Sequence, residues 1–237
     1  MDTRLLLSRM APGEPEVFAS VQGEGASAGE PSTFVRLAGC NLRCSWCDTA
    51  YTWDWDHYDR ATQVMELDWR DAFGRISALP PRSVVITGGE PLLQRRQLVP
   101  LAAALKESGF RIEVETNGTV RPGPLAALID QWNVSPKLKS SGNAGLQTIK
   151  PAVLREFAGE AGTFFKFVIS EPADVDEAAA IAGRAGLPTS RVILMPEGRT
   201  AAELGQRSAW IAEECTRRGY RFSSRLHILI WGDRRGV

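Results

Sequence analysis

The sequence predicts an α/β fold, an incomplete barrel of parallel βαβ units, and three observations predict it. Short β-prone runs alternate with stretches of helical period along most of the chain. About six such runs can be counted in 237 residues, whereas a closed eight-stranded barrel typically takes about 250 residues. The conspicuous Gly-, Asn- and Pro-containing loops follow strands, and ligands of parallel α/β sheets gather at those strand ends. An open doubly wound sheet is the competing architecture on the same grounds.

Taken in order, residues 1–15 ("MDTRLLLSRMAPGEP") read as a loosely structured lead-in, and residues 16–237 as one domain. The β-prone runs are Thr33–Leu37, Ser83–Ile86, Arg111–Glu115, Phe164–Ile169, Arg191–Met195 and Phe222–Ile228. Between them, Leu98, Leu101, Ala102 and Leu105 form a helical stripe with Gly109 at its C-cap. Further helices are expected from Ala173 to about Ala185 and from Thr200 to about Arg218. The loops that follow the strands are "TGGEP" (Thr87–Pro91), "ETNG" (Glu115–Gly118), "SPK" (Ser135–Lys137) and "MPEG" (Met195–Gly198).

Composition excludes several function classes. Lys plus Arg and Asp plus Glu both number 28, so the basic excess of a nucleic-acid binder is missing. The apolar run "LLL" is too short for a signal-peptide core, and no later run reaches membrane-spanning length. A cytoplasmic, reducing location is expected, where clustered cysteines more often bind metal than form disulfides.

Such a cluster exists. Of 4 cysteines, three stand at Cys40, Cys44 and Cys47 in "AGCNLRCSWCDTAYTW", with the spacing C-x3-C-x2-C. Thiolates so close in sequence can converge on one soft metal centre. Structural zinc wants four protein ligands. A [4Fe-4S] cluster held by three cysteines keeps one iron open for another molecule. Cys215 falls in line with Leu204, Ser208 and Ile211 and reads as a core residue of the long helix. His57 reads as a solvent-facing loop residue, while His227 stays open as a ligand.

The loops supply the remaining candidates. The adjacent glycines of "TGGEP" leave room for a close approach to the backbone. In "RIEVETNG", Ile112 and Val114 share one face, and Glu113 and Glu115 the other. If the apolar face meets the helices, both carboxylates point into the barrel and need partners there. On the residues alone, an edge strand with a solvated face stays open, as do Arg36 as a surface charge and Thr49 as a turn cap.

The three-cysteine spacing, with Trp46 just before the last cysteine, resembles the radical S-adenosylmethionine (SAM) superfamily. With "EVFASVQGEG" (Glu16–Gly25), "STFVRLAGC", "CDTAYTW", "TGGEP", "ETNG", "SPK" and "RLHILIWG", it resembles the 7-carboxy-7-deazaguanine synthase family from about Glu16 to Trp231. That resemblance implies a partial TIM-type barrel and a lyase of queuosine and 7-deazapurine biosynthesis. The reaction implied converts 6-carboxy-5,6,7,8-tetrahydropterin to 7-carboxy-7-deazaguanine with loss of ammonia. It further implies a [4Fe-4S] cluster on Cys40, Cys44 and Cys47, with SAM chelating the open iron. SAM would be bordered by Trp46, Cys47, Asp48, Gly89, Glu115, Ser135, Pro136, Lys137, Met195, Pro196, Glu197 and Gly198. Val21, Gln22, Gly23 and Thr87 would line the pterin pocket, and Arg36 would pair with the substrate carboxylate, with Lys166 the next cation to consider. Thr49 would give its hydroxyl to Mg²⁺.

An external one-electron reductant such as flavodoxin or ferredoxin and a homodimer are likewise implied, with no nucleic-acid or membrane partner. The chain departs from the family pattern in two places. The basic tail "GDRRGV" runs past the last motif, which argues against a substrate role for Val237. Gly198 stands where some members carry an acidic residue. Two alternatives remain on sequence: a glycyl-radical-enzyme activating enzyme, which acts on a protein, and a zinc or electron-transfer protein.

Overall fold

Side chains on the parallel strands sort into two faces, and that sorting sets the architecture. The computed structural model describes residues 4–143 and 148–237. The chain opens with β1 (Arg4–Ala11), β2 (Glu14–Pro15) and β3 (Val17–Val21), and reaches its first parallel strand at β4 (Pro31–Leu37). After an excursion through α1 (Arg60–Gln63), β5 (Val64–Asp68) and α2 (Trp69–Ser77), the regular units begin. These comprise β6 (Ser83–Gly88) with α3 (Arg95–Glu107), then β7 (Arg111–Thr116), and β8 (Gln131–Val134) with α4 (Pro151–Gly159). They continue with β9 (Thr163–Ile169) and α5 (Pro172–Ala185), then β10 (Val192–Pro196) and α6 (Ala201–Arg218). The short strand β11 (Arg221–Phe222) and the one-turn helix α7 (Leu226–Trp231) close the chain.

Strands β4, β6, β7, β8, β9, β10 and β11 lie side by side in that order, and every pairing between them is parallel. The order never reverses, so there is no switch point of the doubly wound kind. The sheet ends at β11 on one side and at the antiparallel β1–β2 pair on the other. It is an open, partial TIM-type barrel, as the strand count predicts.

On the outer face, Val35, Leu37, Val84, Ile86, Ile112, Val114, Trp132, Val134, Phe165 and Phe167 join the helices in one apolar core. Full burial of each such side chain contributes about 1.5–3 kcal/mol. The alternate residues face inward and are largely polar: Arg36, Thr87, Glu113, Glu115, Gln131, Asn133 and Lys166. An apolar outer face and a polar inner face explain why the strands carry more charge than buried parallel strands usually do. Among the described residues, no helix is long and apolar enough to cross a membrane.

Two expectations are corrected at the ends. Residues 4–11 are not a loose lead-in. They form β1, which pairs over five residues with β5 and through Leu7 with Leu37 of β4, leaving Leu5 and Leu7 fully buried. A three-leucine run shows no alternation by itself; its partner β5 lies about sixty positions away (Arg4 opposite Asp68) and supplies the register. At the other end, the strand expected over Phe222–Ile228 shrinks to Arg221–Phe222, and Leu226–Trp231 is helical. Ser223 and Ser224 intervene, and the Leu226 amide donates instead to the Gly23 carbonyl, 2.8 Å away.

Candidate active site

The strand ends deliver their loops to one cavity of about 240 Å³. The cysteine loop leaves β4 and is held by its neighbours through backbone contact. The Gly89 amide donates to the Leu37 carbonyl (3.0 Å) and the Glu90 amide to the Gly39 carbonyl (2.8 Å). A Cβ on Gly88 would sit 2.0 Å from the Leu37 oxygen, and one on Gly89 2.0 Å from the Gly39 oxygen. The glycine pair therefore also makes room for the end of β4 and the start of the cysteine loop, while both glycines line the cavity. Gly88 also has φ +131°, where a side chain is strained. Gly89→Ala is expected to lower stability by about 1–3 kcal/mol or more through overpacking. It should also displace Cys40. An unchanged melting temperature and iron content would refute this.

Glu90 is fully buried and holds the next loop. It accepts hydrogen bonds from the Asn117 amide (2.7 Å), the Thr116 hydroxyl (2.8 Å) and the Leu92 amide (3.0 Å). Burial pushes its carboxyl above the usual range. Asn117 in turn donates to Asn41 of the cysteine loop (2.9 Å), and Asn41 to Thr119 (2.8 Å).

Cys40, Cys44 and Cys47 all line the cavity and carry no disulfide. Burial pushes the Cys40 thiol up to about 12, with Cys44 and Cys47 close enough to add to the rise. Burial likewise raises Cys44, opposed by Lys137. Burial thus disfavours the thiolates of Cys40 and Cys44, and a metal centre would supply positive charge that offsets it. N–H donors are already aimed at each sulfur: Leu42 amide to Cys40 (3.4 Å), Asn143 to Cys44 (3.2 Å) and Trp53 indole to Cys47 (3.3 Å). Among the described residues, no group of three His, Cys, Asp or Glu closes tightly enough to hold a single metal ion.

The other candidate ligands fall apart from the three thiols. Cys215 is buried in the apolar core and its thiol donates to the Arg221 carbonyl (3.3 Å). The exposed His57 pairs with Asp54 (2.8 Å). His227 does line the cavity, and burial holds its imidazole below the usual pKa. Gly23 is the residue that lets it in, since a Cβ there would lie 2.0 Å from His227 Nδ1.

Of the remaining candidates, Trp46, Asp48, Gly89, Glu115, Ser135, Lys137, Met195, Glu197 and Gly198 all line the cavity. So do Val21, Gln22, Gly23, Arg36, Thr49 and Thr87. Pro136 and Pro196 do not; both are buried outside the lining, Pro196 paired in register with the core residue Ile169. Glu113 and Glu115 point inward, as alternation requires. Glu113 is fully buried and accepts from Gln131 (3.0 Å), Asn133 (2.9 Å) and Arg111 (3.2 Å). Glu115 accepts from the Thr87 hydroxyl (2.7 Å) and from Gln22 (3.3 Å). Arg36 donates through Nε to the buried Glu16 (2.7 Å).

Several lining residues were not singled out by sequence. Glu24 binds Lys166 and, at 2.9 Å, Arg225, which also pairs with Asp48 and donates to the Gly198 carbonyl (2.7 Å). Lys166 is thus already committed to a carboxylate. Glu24 and Arg225 belong to quoted segments, "QGEG" and "RLHILIWG", but their pairing spans 201 positions, and no local pattern carries it. Val237 also lines the cavity, against the expectation drawn from the tail's length and charge.

Comparison with known proteins agrees with this geometry. Residues 35–207 match the model of the radical SAM superfamily. The chain is 41% identical over 224 residues to the 7-carboxy-7-deazaguanine synthase of Pyrobaculum aerophilum, covering 93% of this chain and 95% of that protein. It is 39% identical to the enzyme of the same name from Hyperthermus butylicus, covering 91% of each. Among solved structures, QueE from Escherichia coli superposes with a TM-score of 0.69 at 25% identity, covering 94% of this chain and 95% of that one. A three-thiol loop, an open parallel barrel and relatives matched nearly end to end leave one assignment: the chain belongs to the 7-carboxy-7-deazaguanine synthase family of the radical SAM superfamily.

Proposed function

We propose that this chain converts 6-carboxy-5,6,7,8-tetrahydropterin to 7-carboxy-7-deazaguanine, the product its relatives are named for, with loss of ammonia, in the pathway to queuosine and other 7-deazapurines. One observation carries the reading: a single cavity of about 240 Å³ is lined both by the three thiols and by Arg36. A concave site of this kind suits a small molecule. The relatives matched nearly end to end are named for synthesis of a small molecule, which disfavours a glycyl-radical-enzyme activating enzyme.

Membership of the superfamily implies a [4Fe-4S] cluster and SAM. When bound, these supply the one-electron chemistry that starts a hydrogen abstraction. Cys40, Cys44 and Cys47 would hold the cluster, with the Trp53, Asn143 and Leu42 N–H groups stabilising the thiolate sulfurs. Trp46, Asp48, Gly89, Glu115, Ser135, Lys137, Met195, Glu197 and Gly198 would border SAM. Lys137 donates to the Ser135 hydroxyl (2.8 Å) and lies 5.6 Å from the centre of the Trp46 ring, an arrangement that holds a cation where a carboxylate can reach it. Arg36 would bind the substrate carboxylate, with Val21, Gln22, Gly23 and Thr87 around the pterin. Thr87 and Gln22 both donate to Glu115, so this carboxylate fixes the boundary between the SAM side and the substrate side. Phe18, Phe34 and Val168 would exclude water. A small reductant protein, a homodimer and a cytoplasmic location complete the reading.

Thr49 would give its hydroxyl to Mg²⁺. This fits a magnesium ion that takes few protein ligands and completes its shell with substrate oxygens and water. Its hydroxyl lies 3.6 Å from the Cys47 sulfur, at the edge of the cluster site, and the neighbouring Asp48 is engaged by Arg225. Thr49→Ala should retain iron and SAM binding but lose most of the stimulation by magnesium. An unchanged magnesium titration would remove Thr49 from the site. The reading as a whole is tested by anaerobic turnover of 6-carboxytetrahydropterin with SAM and dithionite. The product should have the mass of 7-carboxy-7-deazaguanine, and SAM should not be consumed in proportion. Absence of product from iron-replete protein would refute it.

A further inference from the structure

Glu16 lies behind the cavity, fully buried, and gathers chain segments that are far apart in sequence. Its Oε1 accepts from Arg36 Nε (2.7 Å) and the Tyr51 hydroxyl (3.0 Å). Its Oε2 accepts from Arg235, through Nε (3.0 Å) and Nη2 (2.6 Å). Arg235 belongs to the basic tail that departs from the family pattern. It is fixed further by the Ser8 hydroxyl (3.1 Å) and the Arg9 carbonyl (2.7 Å), and its guanidinium carbon lies 3.7 Å from the centre of the Tyr51 ring.

The charge balance gives this arrangement a consequence. A buried Arg36–Glu16 pair on its own would be neutral, and Glu16 would cancel most of the guanidinium's field before any substrate arrived. With Arg235 present, two cations share the Glu16 carboxylate, and within this group of three one positive charge is left over. Arg36 lines the cavity and Arg235 does not. The terminal nitrogens of Arg36 have no partner among the described residues, because Glu16 engages only Nε. A second carboxylate near Arg36, that of Asp48, is already paired with Arg225.

We infer that Arg235 is a positioning residue for substrate recognition: by satisfying Glu16 from behind, it frees the charge of Arg36 for an anionic carboxylate in the cavity. The inference rests on the reading of Arg36 as the partner of the substrate carboxylate. It makes substrate affinity depend on a side chain that never touches substrate.

The test uses reconstituted holoenzyme and measures KM for 6-carboxytetrahydropterin, kcat, SAM affinity and iron content. Arg235→Gln is expected to raise KM about tenfold, within the range of coupling between neighbouring charges, with kcat and SAM affinity nearly unchanged. Adding Glu16→Gln to Arg235→Gln should return KM toward wild type, because the neutral amide still accepts from Arg36 Nε but no longer cancels its charge. A merely structural role predicts the opposite, a double variant worse than the single one. Should Arg235→Gln alone fail to fold, the double variant and Arg235→Lys, which keeps the charge and should bind within a few-fold of wild type, still decide the matter. A double variant with KM no better than Arg235→Gln, or a lysine variant as weak as glutamine, overturns the inference. An unaltered KM in Arg235→Gln alongside a raised KM in Arg36→Ala overturns it while leaving the reading of Arg36 intact. An unaltered KM in Arg36→Ala itself overturns both.

Discussion

Alanine at Cys40, Cys44 or Cys47 is expected to reduce bound iron and sulfide to background, abolish the brown chromophore and end SAM cleavage. The three thiols line one cavity, and burial disfavours the thiolates of Cys40 and Cys44 unless a metal centre supplies compensating charge. With one of them gone, two protein ligands remain, and none of the other candidates stands ready to replace it. Cys215 lies in the apolar core, His57 is exposed, and His227 faces the cavity at the side of Gly23. Cys215→Ala should therefore retain iron and activity. It should cost only the packing of a small side chain, roughly 1 kcal/mol on the scale of about 0.8 kcal/mol per buried methylene-sized group. Iron and sulfide assays on anaerobically reconstituted protein, read beside a thermal melt, check both halves. Cluster loss in a folded Cys215→Ala variant would put the fourth cysteine back into the site.

Arg36→Ala is expected to weaken binding of the carboxypterin by at least tenfold while leaving SAM affinity unchanged. Truncating one partner of a buried, hydrogen-bonded charge pair costs roughly 2–5 kcal/mol. The structure sharpens the expectation for lysine. Arg36 reaches Glu16 through Nε and also lines the cavity, so its terminal nitrogens are not taken up by Glu16 hydrogen bonds. A guanidinium can do both at once, presenting separate edges to two carboxylates. A single ammonium opposite Glu16 cannot, so Arg36→Lys should recover only part of the affinity. Equilibrium binding of substrate with SAM present checks this. Wild-type affinity in Arg36→Ala would mean that the carboxylate is read elsewhere. Lys166 is a poor replacement, because Glu24 already holds it.

The cluster loop, the four strand-end loops and the inward pair Glu113 and Glu115 could be located from local pattern, whereas Arg36 and Thr87 came only from the family resemblance. Their signals are short: a spacing of three thiols, a period of two along a strand, a glycine pair at a strand end. Such features are fixed by backbone geometry within a few residues, so they survive in sequence. The strand β1 could not be read this way. Its apolar run has no period of its own, and its register comes from β5 and β4 across the sheet. The terminal segment 222–228 misled for the same reason, since an apolar run of that length fits a strand or a helical turn until its neighbours are known.

The sequence by itself determined the chemistry: three thiols in C-x3-C-x2-C, a parallel α/β frame, and the motifs that mark the family. Only the tertiary structure decided how the charges are shared. Glu24 with Lys166 and Arg225, and Glu16 with Arg36 and Arg235, join residues separated by up to 219 positions. Coulomb energy depends on distance in space and on burial, and neither is written in sequence separation. The purpose of the glycine pair was decided at the same level. Sequence shows that two Cβ atoms are missing, and only the fold shows that the backbone at the end of β4 and the start of the cysteine loop occupies their place.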